Sequence, residues 1–386
     1  MNSFEQFKDK KHVEDLVKKL HRVYPGGTMK IMEVCGTHTM AIARFGIRSI
    51  LPEGLALISG PGCPVCVTPS SVIRQALDLS QRVENTIVTF GDMMRVPTGN
   101  QTLEMRKAEG ADIRIVYSVL DMIEMAKKDP DRNFVFISVG FETTTPGTAL
   151  AVLEAEKQEL ENVFFLLANR RVIPALHALA AAPDIQIRGF LCPGHVSVII
   201  GYGAYHDISE RYSIPCVVAG FEPVDILMAI DDIVARIAQG AAGVGNAYGR
   251  VVTESGNSRA LEIMDRIFEP VDAPWRGIGV IPQSGLTFRR EYEHFDALRK
   301  FGIRHMAIRE PAVQAPAVQE PAVKQPANHD LSDDEPAGCR CGDVLKGVIL
   351  PTECALFGNR CTPSTPVGPC MVSTEGSCAA YYKYGA

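Results

Sequence analysis

Long apolar runs, a secretory leader and a basic surface pattern are all missing from this sequence. No apolar run approaches the ~20 residues that a membrane-spanning helix needs, and the N-terminus, MNSFEQFKDKKHVEDL, has no apolar signal-peptide core. The 39 Lys and Arg residues against 45 Asp and Glu residues give a net charge of −6, without a basic stripe. These absences argue against a membrane protein and against a nucleic-acid-binding protein, and they predict a cytoplasmic protein.

Several motifs of cofactor chemistry are also missing. The sequence has no G-x4-G-K-S/T phosphate loop and no clean G-x-G-x-x-G, so no motif supports nucleotide binding. It lacks the C-x3-C-x2-C run of radical S-adenosylmethionine enzymes. Cysteine, by contrast, is abundant, with 11 residues. Cytoplasmic disulfides are mostly transient or catalytic, and a chain of 386 residues does not need them to stabilise its core, so the cysteines indicate chemistry.

The body of the chain alternates short apolar strands with helical patterns. Residues 12–23 form one apolar helical stripe, and the Val-, Ile- and Phe-rich runs that follow show little alternation, as strands buried on both faces do. This order predicts βαβ units and parallel sheets, an α/β fold. The predicted strands are 30–34, 55–59, 86–90, 112–117, 133–139, 162–167, 187–191 and 214–218. The predicted helices include 72–82, 120–128, 146–160 and 222–239.

Two small parallel-sheet α/β domains that face each other across a cleft fit this pattern better than one large sheet. An N-terminal helix occupies residues 1–29. The first predicted domain spans 30–128 and the second spans 129–225, with the division at the DPDR sequence of residues 129–132.

The remaining residues predict a third, mixed domain in two parts. Residues 226–308 contain helical patterns at 257–268 and 290–301 and an extended WRGIGVI stretch. Residues 309–337 repeat proline and alanine with little else to bury, which predicts a flexible or extended linker. The linker tethers a cysteine-rich part, residues 338–386, to the rest of the chain.

Four polar, glycine-bearing turns each follow a predicted strand. In open parallel sheets, ligands bind beyond the carboxyl ends of the strands. Four such turns, two in each predicted domain, therefore predict one site in the cleft. The turns are CGTHT at 35–39, GPGCPVC at 60–66, GFETT at 140–144 and CPGHVS at 192–197.

The cysteines of the first two turns are candidates for metal or redox chemistry. Cys63 and Cys66 form a C-x2-C pair, a spacing that suits two thiolates on one metal or one disulfide that opens and closes. Cys35 lies 28 residues earlier, about one βαβ unit, and is the candidate third thiol. Soft thiolates suit iron, copper(I) or zinc, so Cys35 is interpreted as a ligand or reactive thiol, with a buried small residue as the alternative.

The other polar residues of the turns have two interpretations each. His38 and His195 suit metal binding or proton transfer, or else a hydrogen-bonded structural role. Glu142 is predicted to act in the site, because a carboxylate in an apolar turn needs a partner. The threonines of the turns cap helices or donate hydrogen bonds to a polar ligand. Cys192 is ambiguous, and Cys216 is predicted to belong to the core.

Six cysteines lie within the last 48 residues, with the spacing C-x-C-x12-C-x6-C-x8-C-x7-C. Four thiolates hold an iron–sulfur cluster, so six leave two that can form a redox-active pair. Geometry does not require the first two to bind the same cluster, and fifteen choices of four from six remain open. A four-cysteine zinc site with two bystanders is the alternative. The six are Cys339, Cys341, Cys354, Cys361, Cys370 and Cys378.

Together these motifs resemble the HypD family of [NiFe]-hydrogenase maturation proteins. CGTHT, GPGCPVC, GFETT, PGHVS and the terminal CRCG, PTEC, NRCTP, GPC and GSCAAYYKY segments match the family pattern over nearly the whole chain. The long linker is more extended than that pattern. The resemblance implies that the protein works with HypC and HypE to assemble the Fe(CN)2CO group of the hydrogenase active site. Cyanide would arrive as a thiocyanate on HypE and be released reductively.

The resemblance also implies a role for each cysteine of the C-terminal part. Cys341 and Cys370 would form a dithiol/disulfide pair, an arrangement similar to ferredoxin:thioredoxin reductase. The other four would hold a [4Fe-4S] cluster; these are Cys339, Cys354, Cys361 and Cys378.

In the cleft, the resemblance implies that Cys35 binds the nascent iron together with HypC. Cys63 and Cys66 would be redox-active thiols or further iron ligands, and His38 is a further candidate ligand. The residues that would position ligands or manage protons are His38, Glu142 and His195. The implied protein is a redox-active maturation factor, monomeric within a heteromeric complex. The alternatives are an iron–sulfur protein-disulfide reductase and a zinc-stabilised binding protein.

Overall fold

The computed structural model describes residues 9–182, 186–303 and 336–385. It confirms an α/β protein with two parallel sheets and a separate antiparallel pair of strands. Within these ranges, no helix is both long enough and apolar enough to cross a bilayer.

The strands and helices are numbered in chain order. The strands are β1 Met29–Glu33, β2 Leu55–Ser59, β3 Asn85–Thr89, β4 Ile113–Ile115, β5 Asn133–Gly140, β6 Val163–Asn169, β7 Gly189–Pro193, β8 Cys216–Ala219, β9 Val244–Asn246, β10 Phe268–Trp275 and β11 Gly279–Phe288. The helices are α1 Lys10–Val23, α2 Gly36–Arg44, α3 Pro64–Val67, α4 Ser70–Leu79, α5 Leu103–Ala108, α6 Leu120–Lys128, α7 Thr145–Lys157, α8 Val172–Ala181, α9 Gly194–Ile200, α10 His206–Tyr212, α11 Pro223–Ala238, α12 Ser258–Ile267, α13 Ala297–Lys300, α14 Cys341–Leu345, α15 Pro369–Val372 and α16 Ser377–Tyr384.

Sheet 1 has five parallel strands in the order β2-β1-β7-β8-β9. β1 lies in register with β2 along its whole length, Met29 opposite Leu55. Helices α1 and α11 pack together beside this sheet, and Leu20 and Ile230 belong to their shared apolar core. Helix α1 begins where the Asp9 side chain accepts a hydrogen bond from the main-chain N–H of Lys11 at 2.8 Å.

Sheet 2 has four parallel strands in the order β4-β3-β5-β6. Every residue of β3 is buried, and so is every residue of β7 in sheet 1. Burial on both faces explains why these strands lack apolar–polar alternation in the sequence. Cys192 and Cys216 are both fully buried in sheet 1, which confirms the prediction for Cys216.

The two sheets do not follow the predicted division of the chain. Strands β1 and β2 precede sheet 2 in sequence, whereas β7, β8 and β9 follow it. The predicted boundary between residues 128 and 129 falls between α6 and β5, inside sheet 2. The chain leaves sheet 1 after β2, forms all four strands of sheet 2 and then returns to sheet 1 with β7. Strands that pair in a sheet need not be consecutive in the sequence.

The predicted mixed part, residues 226–308, contains helix α12 as expected and an antiparallel hairpin, β10–β11. The extended WRGIGVI stretch is the end of β10, a turn and the start of β11. The predicted helix at 290–301 is instead a 3-10 turn, Arg290–Phe295, followed by α13. Asp296 separates them, because its carboxylate accepts the N–H of Leu298 at 2.8 Å and starts a new helix.

The C-terminal part of the chain, residues 336–385, carries three short helices, α14, α15 and α16. Helix α16 packs against α2 of sheet 1, and α15 packs against α3. The cysteine-rich part therefore lies beside the first two motif turns. The predicted linker, residues 309–337, lies outside the described residues except for its last two.

Candidate functional site

A cleft of about 440 Å³ lies between the two sheets, and all four motif turns border it. Because three of the turns follow strands of sheet 1 and GFETT follows β5 of sheet 2, the cleft is formed by both sheets. The prediction that the turns converge at one site is confirmed. Each turn contributes at least one residue to the lining of the cleft. In chain order, these residues include Thr37, Gly62, Thr143 and His195.

Cys35 is held at the wall of this cleft by main-chain contacts. It is the N-cap residue of α2 and only 1% exposed. The N–H of Gly36 donates to the carbonyl of Gly62 at 3.0 Å, which joins the first turn to the second. A Cβ on Gly62 would lie 2.1 Å from the Cys35 nitrogen, so this close approach requires glycine.

The Cys35 thiol lies beside the imidazole of His195, with Sγ 3.7 Å from Nε2. Burial and, to a smaller extent, the carboxylate of Glu375 raise the pKa of Cys35 to about 12. The N–H groups of Thr37 and His38 oppose this by hydrogen bonding to the sulfur. The thiol is therefore neutral near pH 7, and a bound metal cation would displace its proton while the helix N–H groups stabilise the thiolate.

The two histidines share one aromatic neighbour, Phe221. His195 stacks on its ring with centroids 5.2 Å apart, and His38 lies 4.9 Å away, tilted by 38°. Burial lowers the pKa of His38 to about 4 and also lowers that of His195, so both are neutral near pH 7. His38 Nε2 donates to the Gly220 carbonyl at 2.9 Å, and its Nδ1 is buried without a hydrogen-bond partner among the described residues. His195 thus faces the Cys35 thiol, whereas His38 is tied to the backbone behind it.

Cys63 and Cys66 are joined by a disulfide, with Cα atoms 5.3 Å apart. Cys63 caps α3, and its sulfur accepts the N–H of Cys66 at 3.2 Å. In this state the two sulfurs are not available as thiolate ligands. Cys66 Sγ lies 4.0 Å from the carbonyl oxygen of Pro369, the residue before Cys370. The disulfide therefore lies between the second motif turn and the cysteine-rich part.

Glu142 does not point into the cleft. Its carboxylate accepts the N–H of Val172 at 3.0 and 3.2 Å, at the start of α8, and it lines a different cavity, of about 290 Å³, with Arg171. Burial raises the pKa of Glu142 to about 7. The prediction assigned this residue to the site because a carboxylate in an apolar turn needs a partner. That partner is the N-terminus of α8, whereas the neighbours Phe141 and Thr143 line the cleft.

Glu375 borders the cleft although sequence analysis did not select it. It accepts a hydrogen bond from Thr37 Oγ1 at 2.7 Å, and burial raises its pKa. Ser373, two residues earlier, donates to Asp92 at 2.8 Å across the cleft. The only sequence signal near Glu375 is Cys378, three residues later. The C-terminal part thus contacts the cleft on both the sheet 1 side and the sheet 2 side.

The six cysteines of the C-terminal part line one small cavity. Cys341 and Cys370 are joined by a disulfide with Cα atoms 6.5 Å apart, and both are buried. Burial raises the pKa of the Cys378 thiol, and the charges of three other cysteine thiolates raise it as well. The four sulfurs therefore lie close enough to interact electrostatically. The three other cysteines are Cys361, Cys339 and Cys354.

The surroundings of these four cysteines fit a [4Fe-4S] cluster. A Cβ on Gly368 would lie 2.7 Å from the sulfur of Cys339, so glycine leaves room beside that thiol. The N–H of Val367 donates to the sulfur of Cys361 at 3.3 Å, a contact typical of cluster ligands. Across the described ranges no three His, Cys, Asp or Glu side chains converge on one ion, and a cubane does not require this because each thiolate binds a different iron.

Comparison with known proteins gives one consistent family. A family model described as HypD, hydrogenase formation hypA family, matches residues 11–385. The chain is 42% identical over 357 residues to the hydrogenase maturation factor HypD of Rhodobacter capsulatus, which covers 92% of this chain and 89% of that protein. It is 39% identical over 394 residues to HypD of Azotobacter vinelandii, covering 100% and 97%. It is 40% identical over 356 residues to a putative hydrogenase expression/formation protein of Methanocaldococcus jannaschii, covering 92% of each. This chain therefore belongs to the HypD family of hydrogenase maturation factors.

Proposed function

We propose that this chain is the scaffold and redox factor on which the Fe(CN)2CO group of [NiFe]-hydrogenases is assembled. The iron is held at Cys35 together with HypC, and cyanide is received from HypE. The observation that carries the proposal is the position of the Cys35 thiol, at a helix N-terminus beside His195 on the wall of a cleft bordered by four polar turns.

The chemistry of the cleft suits a low-spin iron with cyanide and carbonyl ligands. A thiolate is a soft donor that such iron favours. The cyanide nitrogens accept hydrogen bonds, and Thr143 borders the same space. His195 Nε2, 3.7 Å from the Cys35 sulfur, receives the thiol proton when iron replaces it.

Cyanide release from a thiocyanate requires two electrons, and a dithiol supplies them. A thiocyanate R–S–CN and the two thiols of Cys63 and Cys66 give R–SH, HCN and the Cys63–Cys66 disulfide. The S–CN bond breaks, one S–S bond forms, and the two thiol protons go to the products. The Cys63–Cys66 disulfide of the structure supports this step, since it has the oxidation state that the product would have.

The dithiol is restored by the second pair. Thiolate attack by reduced Cys341 and Cys370 on the Cys63–Cys66 disulfide exchanges one disulfide for the other. The 4.0 Å separation of Cys66 Sγ from the carbonyl of Pro369 supports this route, because the next residue is Cys370. A [4Fe-4S] cluster on the four remaining cysteines would supply single electrons to reduce the second pair.

Infrared spectroscopy of the anaerobic complex with HypC, purified from a maturation-competent host, tests the proposal. Cyanide and carbonyl stretches fall where proteins do not absorb, so bands in that region are the expected result. Cys35→Ala should remove them. If the complex contains iron but shows no such bands, the scaffold function fails and the iron–sulfur protein-disulfide reductase takes its place. If it contains only zinc, both redox functions fail.

A further inference from the structure

A further cavity, of about 260 Å³, lies between α4, the end of β6 and the β10–β11 hairpin. It has no lining residue in common with the cleft. Its volume is slightly below the ~300 Å³ at which pockets for drug-sized ligands begin. The space therefore suits a small molecule.

Arg170, the first residue after β6, contributes a buried cation to this cavity. It is 6% exposed, and among the residues that the structure describes its guanidinium donates only to the neutral carbonyls of Asn169 at 3.1 Å and Pro274 at 3.0 Å. Its Nε–H is buried without a hydrogen-bond partner among the described residues. Burial lowers the pKa of Arg170 to about 10, so it remains charged near pH 7. A buried cation without a counter-ion is strongly unfavourable.

The first turn of α4 faces the same cavity through Ser71 and Val72. This helix has ten residues, and its N-cap, Pro69, has no side chain that accepts a hydrogen bond. Ser71 is buried, with 5% of its surface exposed, and lines the cavity. The positive end of a helix and the Ser71 side chain therefore lie at the same cavity as Arg170.

Two carboxylates at the cavity are engaged elsewhere. Asp272 accepts the main-chain N–H of Gln283 at 2.9 Å, and Asp296 caps α13. Neither contributes to the pKa of Arg170, for which burial is the whole cause. The cation is thus left for an external anion.

We propose that this cavity binds a small oxoanion, a phosphate or carboxylate group, between Arg170 and the N-terminal turn of α4. A guanidinium fork and a helix N-terminus both match the oxygens of such a group. The site adjoins the GFETT turn, because the N–H of Arg170 donates to the carbonyl of Gly140 at 2.8 Å. The proposal does not depend on the chemistry proposed for the cleft.

The test is binding to the full chain of inorganic phosphate and, separately, of acetate, at constant ionic strength set with chloride. Thermal unfolding followed by far-ultraviolet circular dichroism should show a melting temperature that rises with anion concentration, and calorimetric titration should give the affinity. Arg170→Met should weaken binding about tenfold or more, because a charge-assisted hydrogen-bond pair is lost. The adjacent Arg171→Met is the matched control, since Arg171 lines a different cavity. A response to phosphate alone identifies the phosphate class, and a response to acetate identifies the carboxylate class.

Equal responses of the wild type and Arg170→Met, or none in the wild type, would overturn the proposal. If Arg170→Met fails to fold, Ser71→Ala keeps the guanidinium and should still reduce the affinity severalfold. A crystal soaked in selenate gives a second measurement. An anomalous peak beside Arg170 supports the site, and selenate found only elsewhere on the protein contradicts it.

Discussion

The cleft and the cysteine-rich part both present sulfur, but the backbone that holds the sulfur differs. In the cleft, Cys35 lies just after the buried strand β1 and directly before the nine-residue helix α2. Its neighbour Gly36 is hydrogen-bonded to Gly62 of the next turn. The main chain of a parallel sheet therefore fixes this thiol, whether or not anything binds to it.

The cysteine-rich part, residues 336–385, is held differently. Its helices α14, α15 and α16 have five, four and eight residues. Such short helices are marginal on their own. A disulfide across 29 residues joins α14 to α15, and the other four cysteines line the cavity between them.

The two regions differ in whether the fold positions the cysteine thiol or the cysteines stabilise the fold. In the cleft the fold positions the thiol, so that loss of the thiol should leave the fold intact. In the cysteine-rich part the sulfur stabilises the fold, so that loss of a ligand should unfold the segment. Variants at single cysteines can separate these two relationships.

The largest effect is expected from Cys354→Ser, which removes a proposed cluster ligand. Bound iron should fall by about four atoms per chain and the visible absorption should disappear, because a cubane needs four protein ligands. The fluorescence of Trp275, the single tryptophan, should stay near that of the wild type because its ring stacks on Phe141, in the turn after β5 of sheet 2. Cys341→Ala is the matched control and should keep the absorption. Loss of cluster iron in that control would show that the ligand set is wrong.

The converse experiment is Cys35→Ala. Iron retention in the cleft should be lost, while the visible absorption of the cysteine-rich part should not change, because the two groups of sulfur are held by separate parts of the backbone. Iron analysis and infrared spectra of the complex with HypC measure the first effect. Cys192→Ala, which removes an equally buried thiol of sheet 1, should retain the cleft iron. If Cys35→Ala abolishes both signals, the two sites are not independent.

Much of the fold was predictable because its strands carry a strong local signal. The predicted strand at 55–59 coincides with β2, and the prediction at 30–34 differs from β1 by one residue. Buried parallel strands are continuous apolar runs, and four of them, β1, β2, β5 and β7, end at the glycine-bearing motif turns. The assignment of strands to sheets was not predictable, because β1 pairs with β7 across more than 150 residues and no local pattern encodes that partner.

The sequence predicted which turns form the site, but it did not predict the position of every side chain there. Cys35 and His195 meet as the argument from strand ends requires. Glu142 lies in the correct turn, yet its carboxylate caps α8, since the sequence does not fix the direction of a side chain in a turn. Glu375 was missed because only the tertiary fold brings it to Thr37.

The stability of the sheets should depend on pH through Glu142. Burial raises its pKa from 4.5 to about 7, so the folded protein holds a proton that the unfolded chain releases. The stabilising contribution is complete below pH ~4.5 and is lost as the pH rises through about 7, a change of about 3 kcal/mol. Denaturant unfolding followed by Trp275, which stacks on Phe141, measures it.

Glu142→Gln provides the control for this dependence. It should remove that part of the slope and leave the part due to Glu33, whose pKa is also raised to about 7 by burial. The visible absorption should not follow the same pH dependence, since Glu142 does not line the cavity of the cysteines. An unchanged slope in the variant would mean that Glu142 ionises in the folded state at its ordinary pKa.

The smallest effect concerns the hydrogen bond from Thr37 to Glu375, which joins the cleft to the cysteine-rich part at 2.7 Å. A double-mutant cycle of Thr37→Val and Glu375→Gln should give a coupling of about 1–2 kcal/mol in the free energy of unfolding measured by Trp275, because the bond is partly buried and its acceptor is a carboxylate. Thr143→Val is the matched control, since Thr143 borders the same cleft without a hydrogen bond to Glu375, and its cycle should give a coupling near zero. This coupling energy is detected by Trp275 fluorescence only if the cysteine-rich part unfolds together with the part of the chain that contains Trp275. A zero value for Thr37 would therefore mean that the cysteine-rich part detaches first, and that the cleft loses one wall before its own fold is disturbed.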